Sequence, residues 1–436
     1  MKEENVKREE KWYRLDNAAT IIPSSIKGAD TRVFRIVCEL NEEVQPEKLQ
    51  EALDRAVREF PYLNVALRKG LFWYYLDPVR DRAVVEQEHL PVCSPLYFQG
   101  RRNLLYRVNY YGKRINLEMF HVLSDGTGAF GFLERILEFY LSDVHGFTLE
   151  KASDRSSAGE KEDDAFRRFY DEAEKEEDQL GSITGTKAYQ LNGIKDESLH
   201  THVAEILVNA GDFVRKAHEY NTTAGILATA LYIQAIAEEM PTADLDRPIV
   251  ISVPVNLRQY FPSETARNFF CTILTQYDAR GYDGKLESIL PAVTESFSAQ
   301  LTEEHLRKVM NSYTSLTRNP FLRIFPILIK DVTIRGFNRQ AKKGVTGSMS
   351  NVGRMKLQKE MAPYIHHFTG FMAAPNMQIS VLTCGDIMSF GIASGYSEQE
   401  VTLKFCRQLT RLGLEVTLST NDYDEEASTN AVLSEV

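Results

Sequence analysis

His121-Val122-Leu123-Ser124-Asp125-Gly126 sits between two segments of different period. On its N-terminal side, Leu104 to Tyr111 alternate and are rich in aromatic and branched side chains. Gly112-Lys113-Arg114 then turns the chain into a second alternating run, Ile115 to Phe120. This pattern predicts a hairpin whose second strand delivers His121 at its end. On the C-terminal side, Ala129, Phe132, Leu133, Ile136, Leu137 and Tyr140 recur at helical spacing, which predicts a helix to about Ser142. The string His-x-x-x-Asp-Gly is therefore a strand-loop-helix elbow, with Asp125 in the tight loop. Gly126 is expected to provide a backbone geometry that a side chain would obstruct. Imidazole titrates near neutral pH and can take a proton from a hydroxyl or amine nucleophile. A nearby carboxylate can hold either the ring or the loop.

Composition narrows the class. A chain of 436 residues with 43% hydrophobic content can bury two sizeable cores, so two lobes are expected. A net charge of −10 argues against a nucleic-acid surface, which needs clustered Lys and Arg. The segments around Lys195, Arg335 to Lys343 and Arg354 to Lys359 are candidate local basic patches, although a solvated face is the commoner reason for such residues. Cys38, Cys93, Cys271, Cys384 and Cys406 form no Cys-x-x-Cys pair and read as buried small hydrophobes. Met1 to Lys11 is charged and lacks a signal-peptide core. The longest apolar run, Ala224 to Ala237, is too short to span a bilayer and reads as a core helix. The expectation is a cytoplasmic protein with no membrane span and no metal site. His200 and His202 alternate on a strand without a third ligand nearby, and His366-His367 read as core or edge histidines.

Residues 1–150 read as an α/β lobe: a strand over Thr31 to Leu40, a helix opened by Pro46 and stopped by Pro61, strands over Leu63 to Leu67 and Leu71 to Leu76, then the hairpin and elbow. Residues 151–195 are acidic and read as an exposed linker. Residues 196–436 read as a second lobe. Its strands are Thr201 to Val208, Ile249 to Pro254, Phe269 to Ala279, Ile365 to Ala373, Met377 to Cys384, Ile387 to Gly395 and Leu414 to Leu418. Its helices are Gly211 to Glu219, Thr222 to Glu239, Leu286 to Val309 and Glu398 to Leu412. The class is α/β, or α+β in two layers.

Three motifs occur in order: His121 to Gly126; Pro254-Val255-Asn256-Leu257-Arg258, with Asn268 beyond it; and Ser350-Asn351-Val352-Gly353. This series resembles that of the CoA-dependent acyltransferase superfamily, which shares the chloramphenicol acetyltransferase fold and includes condensation domains. Trp12 to Asn17 and Pro46 to Leu67 resemble the bacterial alcohol-acetyltransferase-like branch. The resemblance implies two similar lobes meeting along a tunnel, with acyl-CoA as co-substrate and an alcohol or amine acceptor. It implies that His121 deprotonates the acceptor for attack on the thioester and later protonates the leaving thiol. Asp125 would be the structural companion of the catalytic loop, with Arg258 a candidate partner and Asn268 structural near the site. Ser124 and Gly126 would belong to the active-site loop, Gly126 keeping the tunnel open. Ser350 and Asn351 could donate to an oxyanion or touch substrate.

The chain lacks the Asp-Phe-Gly-Trp-Gly string of plant-type members. Gly353-Arg354-Met355 stands where wax ester synthases carry Pro-Gly-Pro. A donor bound to a carrier protein is one alternative. A noncatalytic binding or scaffolding relative is another, and Phe130 or Phe371 plugging the tunnel would favour it.

Overall fold

The computed structural model of the chain describes residues 12–148, 158–172, 187–196, 198, 200–318, 324–373 and 376–421. Among them the strands run in chain order: β1 (Tyr13–Arg14), β2 (Val33–Leu40), β3 (Val65–Lys69), β4 (Tyr74–Pro78), β5 (Glu86–Gln87), β6 (Tyr106–Tyr111), β7 (Arg114–Phe120), β8 (His202–Asn209), β9 (Ile249–Asn256), β10 (Phe270–Tyr277), β11 (Gly347–Arg354), β12 (Ile365–Met372), β13 (Met377–Cys384), β14 (Ile387–Ser394) and β15 (Thr417–Thr420). They form a sheet of order β12-β2-β7-β6-β5, a second of order β10-β9-β11-β13-β14-β8-β15, and a small third of order β1-β4-β3.

The expected hairpin is β6–β7, antiparallel with Tyr111 opposite Arg114. Its inward residues pack with the helices Pro46–Glu59 and Gly126–His145 through Leu49, Leu53, Phe132 and Leu137, forming the first core. A second core gathers the apolar helix Ala224–Ala237, buried along most of its length, with β9, β13 and β14. The parallel contacts of the second sheet lie at β11, between β9 and β13. The chain thus has the mixed α/β architecture expected of it.

β12 does not stay with the strands that flank it in sequence. It pairs antiparallel with β2, Gly370 opposite Ile36, and so forms the edge of the first sheet while packing against β13 and β14 of the second. The sheets touch closely there. A Cβ on Gly391 would lie 2.1 Å from the Gly370 carbonyl oxygen, so that glycine is required by contact between the sheets.

A buried charge cluster sits inside the first sheet. Glu118 is fully buried and accepts from Arg35 Nε (2.9 Å) and Nη2 (2.7 Å), from the Cys93 backbone N–H (2.7 Å) and from Arg107. Glu118→Gln would leave two guanidinium groups short of their counter-charge. Removing one member of such a cluster costs about 3–5 kcal/mol, so the urea midpoint should fall steeply; an unchanged midpoint would show that the cluster contributes nothing.

Three expectations are corrected. The single helix over Leu286 to Val309 is a 3₁₀ turn, Leu286–Ser288, then helices Leu290–Gln300 and Glu303–Arg318. The break falls where the Thr302 hydroxyl accepts from the His305 N–H and starts a new helix. The final strand begins at Thr417 rather than Leu414, because Leu414 turns inward to the second core. The acidic segment is not wholly exposed: Ala165 and Phe166 are buried, and Phe166 meets Phe269 edge-on at 5.2 Å.

Candidate active site

Strand β7 ends at Phe120, and the chain places His121 at the junction of the two large sheets. The ring packs edge-on against Phe34 of β2, at 5.2 Å between centroids, and tilted against Phe270 of β10, at 5.6 Å. Asn268 determines its protonation. The Asn268 Nδ2 group donates to Asp16 Oδ2 (3.0 Å) and to the His121 carbonyl oxygen (3.0 Å), which turns its Oδ1 toward the ring. That oxygen lies 2.9 Å from His121 Nδ1. An amide oxygen can only accept, so Nδ1 carries the proton and the basic lone pair is on Nε2. Burial lowers the imidazole pKa below its usual value, partly opposed by a hydrogen bond to its own backbone and by the charge of Asp125.

Asp125 does not bond to the ring. Its Oδ1 caps the helix Gly126–His145 by accepting from the Gly128 N–H (3.0 Å). Its Oδ2 accepts from Arg258 Nη1 (2.8 Å) and from the Phe269 N–H (2.9 Å). Arg258 in turn donates through Nε and Nη2 to the Thr265 carbonyl and through Nη2 to that of Arg267. The expected pair thus rivets the elbow to the loop 265–269 of the second half. Ser124 Oγ adds a bond to the Ala266 carbonyl (2.5 Å).

The glycine expectation is corrected. Gly126 has no left-handed φ, and a Cβ there would meet only Val352 Cγ2 at 3.8 Å. Gly128 is the sterically required one: its Cβ would fall 2.0 Å from the Ala266 carbonyl oxygen and 2.3 Å from Ser124 Oγ. Gly126 instead lines the cavity.

That cavity, about 70 Å³ in volume, is bounded by Phe34, His121, Gly126 and Phe130 from the first half and by Ser350, Ser380 and others from the second. Phe130 and Phe371 both line it, so their rings narrow it. Ser350 lies on its wall. Asn351 does not: it is exposed, alternating to the other face of β11, with its amide nitrogen 3.3 Å from where a Gly225 Cβ would stand. The residue that sequence reading left without a role is Asp16, whose only signal was its place in the Trp12 to Asn17 stretch.

Asp16 is buried, and burial pushes its carboxyl up to about 7 against hydrogen bonds from Ala19 and Asn268. Its folded-state pKa is above the unfolded value of 3.8, so the stabilisation it gives is complete below that value and is lost as pH rises through about 7. Asp16→Asn should remove that decline from a series of melting temperatures across this window, whatever it costs at acid pH. Parallel curves for both proteins would refute the assignment.

Among the described residues, Glu39, His366 and His367 each bring a ligand atom within 4.8 Å of the others. Those atoms already have partners. Arg114 Nε donates to Glu39 (2.8 Å), and the two histidine Nδ1 atoms face each other at 2.7 Å. His367 Nε2 meets Glu205 Oε1 of β8 at 2.9 Å, so the cluster reads as a hydrogen-bonded tie between the sheets. His202 Nε2 pairs with Asp196 (2.9 Å).

No family model matches the sequence, and no curated protein matches it. Several solved structures share its backbone. It is similar to TRI101 of F. graminearum complexed with ethyl coenzyme A, with TM-score 0.65, 11% identity, and coverage of 93% of this chain and 99% of that one. The first condensation domain of the CDA synthetase gives 0.58 at 15% identity over 92% and 96%. TRI3 trichothecene 15-O-acetyltransferase from Fusarium sporotrichioides gives 0.53 at 11% identity over 92% and 94%. At such identities the likeness concerns the backbone alone, and the chain has the two-lobed fold that these three proteins share.

Proposed function

We propose that the protein is an acyltransferase that moves a short acyl group, acetyl foremost, from a CoA thioester to an alcohol or amine. The observation that carries this reading is the tautomer that Asn268 imposes: His121 offers an unprotonated Nε2 on a ring that lines a cavity between the lobes. In the reaction, Nε2 takes the acceptor's proton as the acceptor oxygen or nitrogen attacks the thioester carbonyl. The tetrahedral oxyanion gains a donor in Ser350 Oγ. Collapse breaks the carbon–sulfur bond, and the imidazolium returns its proton to the departing thiolate, regenerating the base. CoA as donor is supported by the shared fold with a protein crystallised with ethyl coenzyme A.

The narrowing by Phe130 and Phe371 also fits a noncatalytic binding protein of the same fold. Mass spectrometry of products from mixed acyl-CoAs with a panel of alcohols and amines separates the two. Ester or amide formed by the native protein and lost in His121→Ala is the expected result; no product with any acceptor would favour the binding protein.

A further inference from the structure

The helix Ile327–Lys342 is mounted with its polarity reversed. Of its residues, Ile327 and Asp331 are buried. Asp331 accepts from Ser24 Oγ (2.6 Å), Lys69 Nζ (2.7 Å) and Tyr74 Oη (3.1 Å). Rolling the helix to bury its apolar side would strip a buried carboxylate of three donors, so its rotation is fixed. The opposite side is apolar and open to solvent: Leu328 is 68% exposed, Ile329 53% and Val332 68%. The turn between β3 and β4 extends this surface. The Ile327 N–H donates to the Leu71 carbonyl and Lys330 Nζ to that of Phe72, both at 2.8 Å, so exposed Leu71 and Trp73 stand beside exposed Phe325. Scattered apolar residues are ordinary on a surface, whereas a gathering of this kind marks an interaction site.

Charge identifies the partner. Leu328, Val332, Arg335 and Arg339 follow one another at i, i+4, i+7 and i+11, a single stripe that is apolar at one end and basic at the other. Arg335, Arg339 and Lys343 are exposed, while the one acidic residue between 327 and 343 is the buried Asp331. The chain as a whole carries −10. We propose that this face docks on an anionic phospholipid surface, with Leu328, Ile329, Val332 and Trp73 entering the headgroup–acyl boundary and the arginines meeting lipid phosphates. The helix would lie in the plane of that surface, and no described helix is long and apolar enough to cross a membrane. A second copy of the chain fits less well, because a two-fold contact through the apolar ends would leave both basic ends without a counter-charge. The inference is independent of the acyl-transfer reading.

Co-sedimentation of the full chain with vesicles tests it, using phosphatidylcholine alone and equal parts phosphatidylcholine and phosphatidylglycerol. Binding should favour the anionic vesicles and weaken with added salt. It should fall about tenfold or more in Leu328→Ser/Ile329→Ser and in Arg335→Glu/Arg339→Glu. All four positions are solvent-facing, so melting temperatures should hold; if a variant fails to fold, the salt series on the native protein still decides. No binding, equal binding to both vesicles, or a dimer that dissociates in the Leu328→Ser/Ile329→Ser variant would each overturn the proposal.

Discussion

His121→Ala should reduce acyl transfer by about 10²–10⁴-fold, the range expected for loss of a positioned general base. The melting temperature should fall only modestly: Asn268 Oδ1 loses its ring partner, a cost of about 1–3 kcal/mol, while the Asn268 amide keeps its bonds to Asp16 and to the residue 121 carbonyl. The pH–rate profile makes the test sharper. Burial lowers the imidazole pKa, so the native rate should persist below the ordinary histidine value of 6.5 and then fall as Nε2 becomes protonated. Residual activity in the variant should lack that acid limb. Equal rates, or the same limb in both proteins, would remove His121 from the chemistry.

Asp125→Ala should behave in the opposite way, with a large loss of stability and a loss of activity that follows from it. The variant strands the Arg258 guanidinium, the Phe269 N–H and the Gly128 N–H without their acceptor. The Arg258–Asp125 pair is close to dry, with side chains 11% and 9% exposed. Breaking such a pair costs about 3–5 kcal/mol, readable from urea midpoints. Asp125→Ala/Arg258→Met removes the orphaned charge as well and should recover part of the loss, giving a coupling energy from the double-mutant cycle. A single variant as stable as the native protein would show that the rivet is not needed.

The hairpin and the helix around the elbow could be read from sequence because their periods match the faces they bury. Tyr106, Val108, Ile115 and Leu117 point inward from strands, and Phe132, Ile136 and Tyr140 from a helix. The pairing of Asp125 with Arg258 could be named as a candidate, since a motif aspartate needs a cation and the second motif offered one. Asp16 and the aim of the Asn268 amide could not, because they depend on hydrogen bonds between residues far apart in the chain. Ser350 and Asn351 stood together in one motif, yet a strand sends neighbours to opposite faces, and only the serine reaches the cavity. The helix Ile327–Lys342 escaped for a related reason: its apolar residues do not mark a core, because they look outward.

The edge position of β12 has a consequence during synthesis. A ribosome must release the chain beyond Met372 before the first sheet can receive its border strand, so the amino-terminal half waits with β2 unpaired on one side. An open strand edge is a template for wrong partners. Maturation of this protein should therefore be limited less by local helix formation than by the arrival of one late segment from far downstream, and chaperone dependence should track the time that edge stays bare.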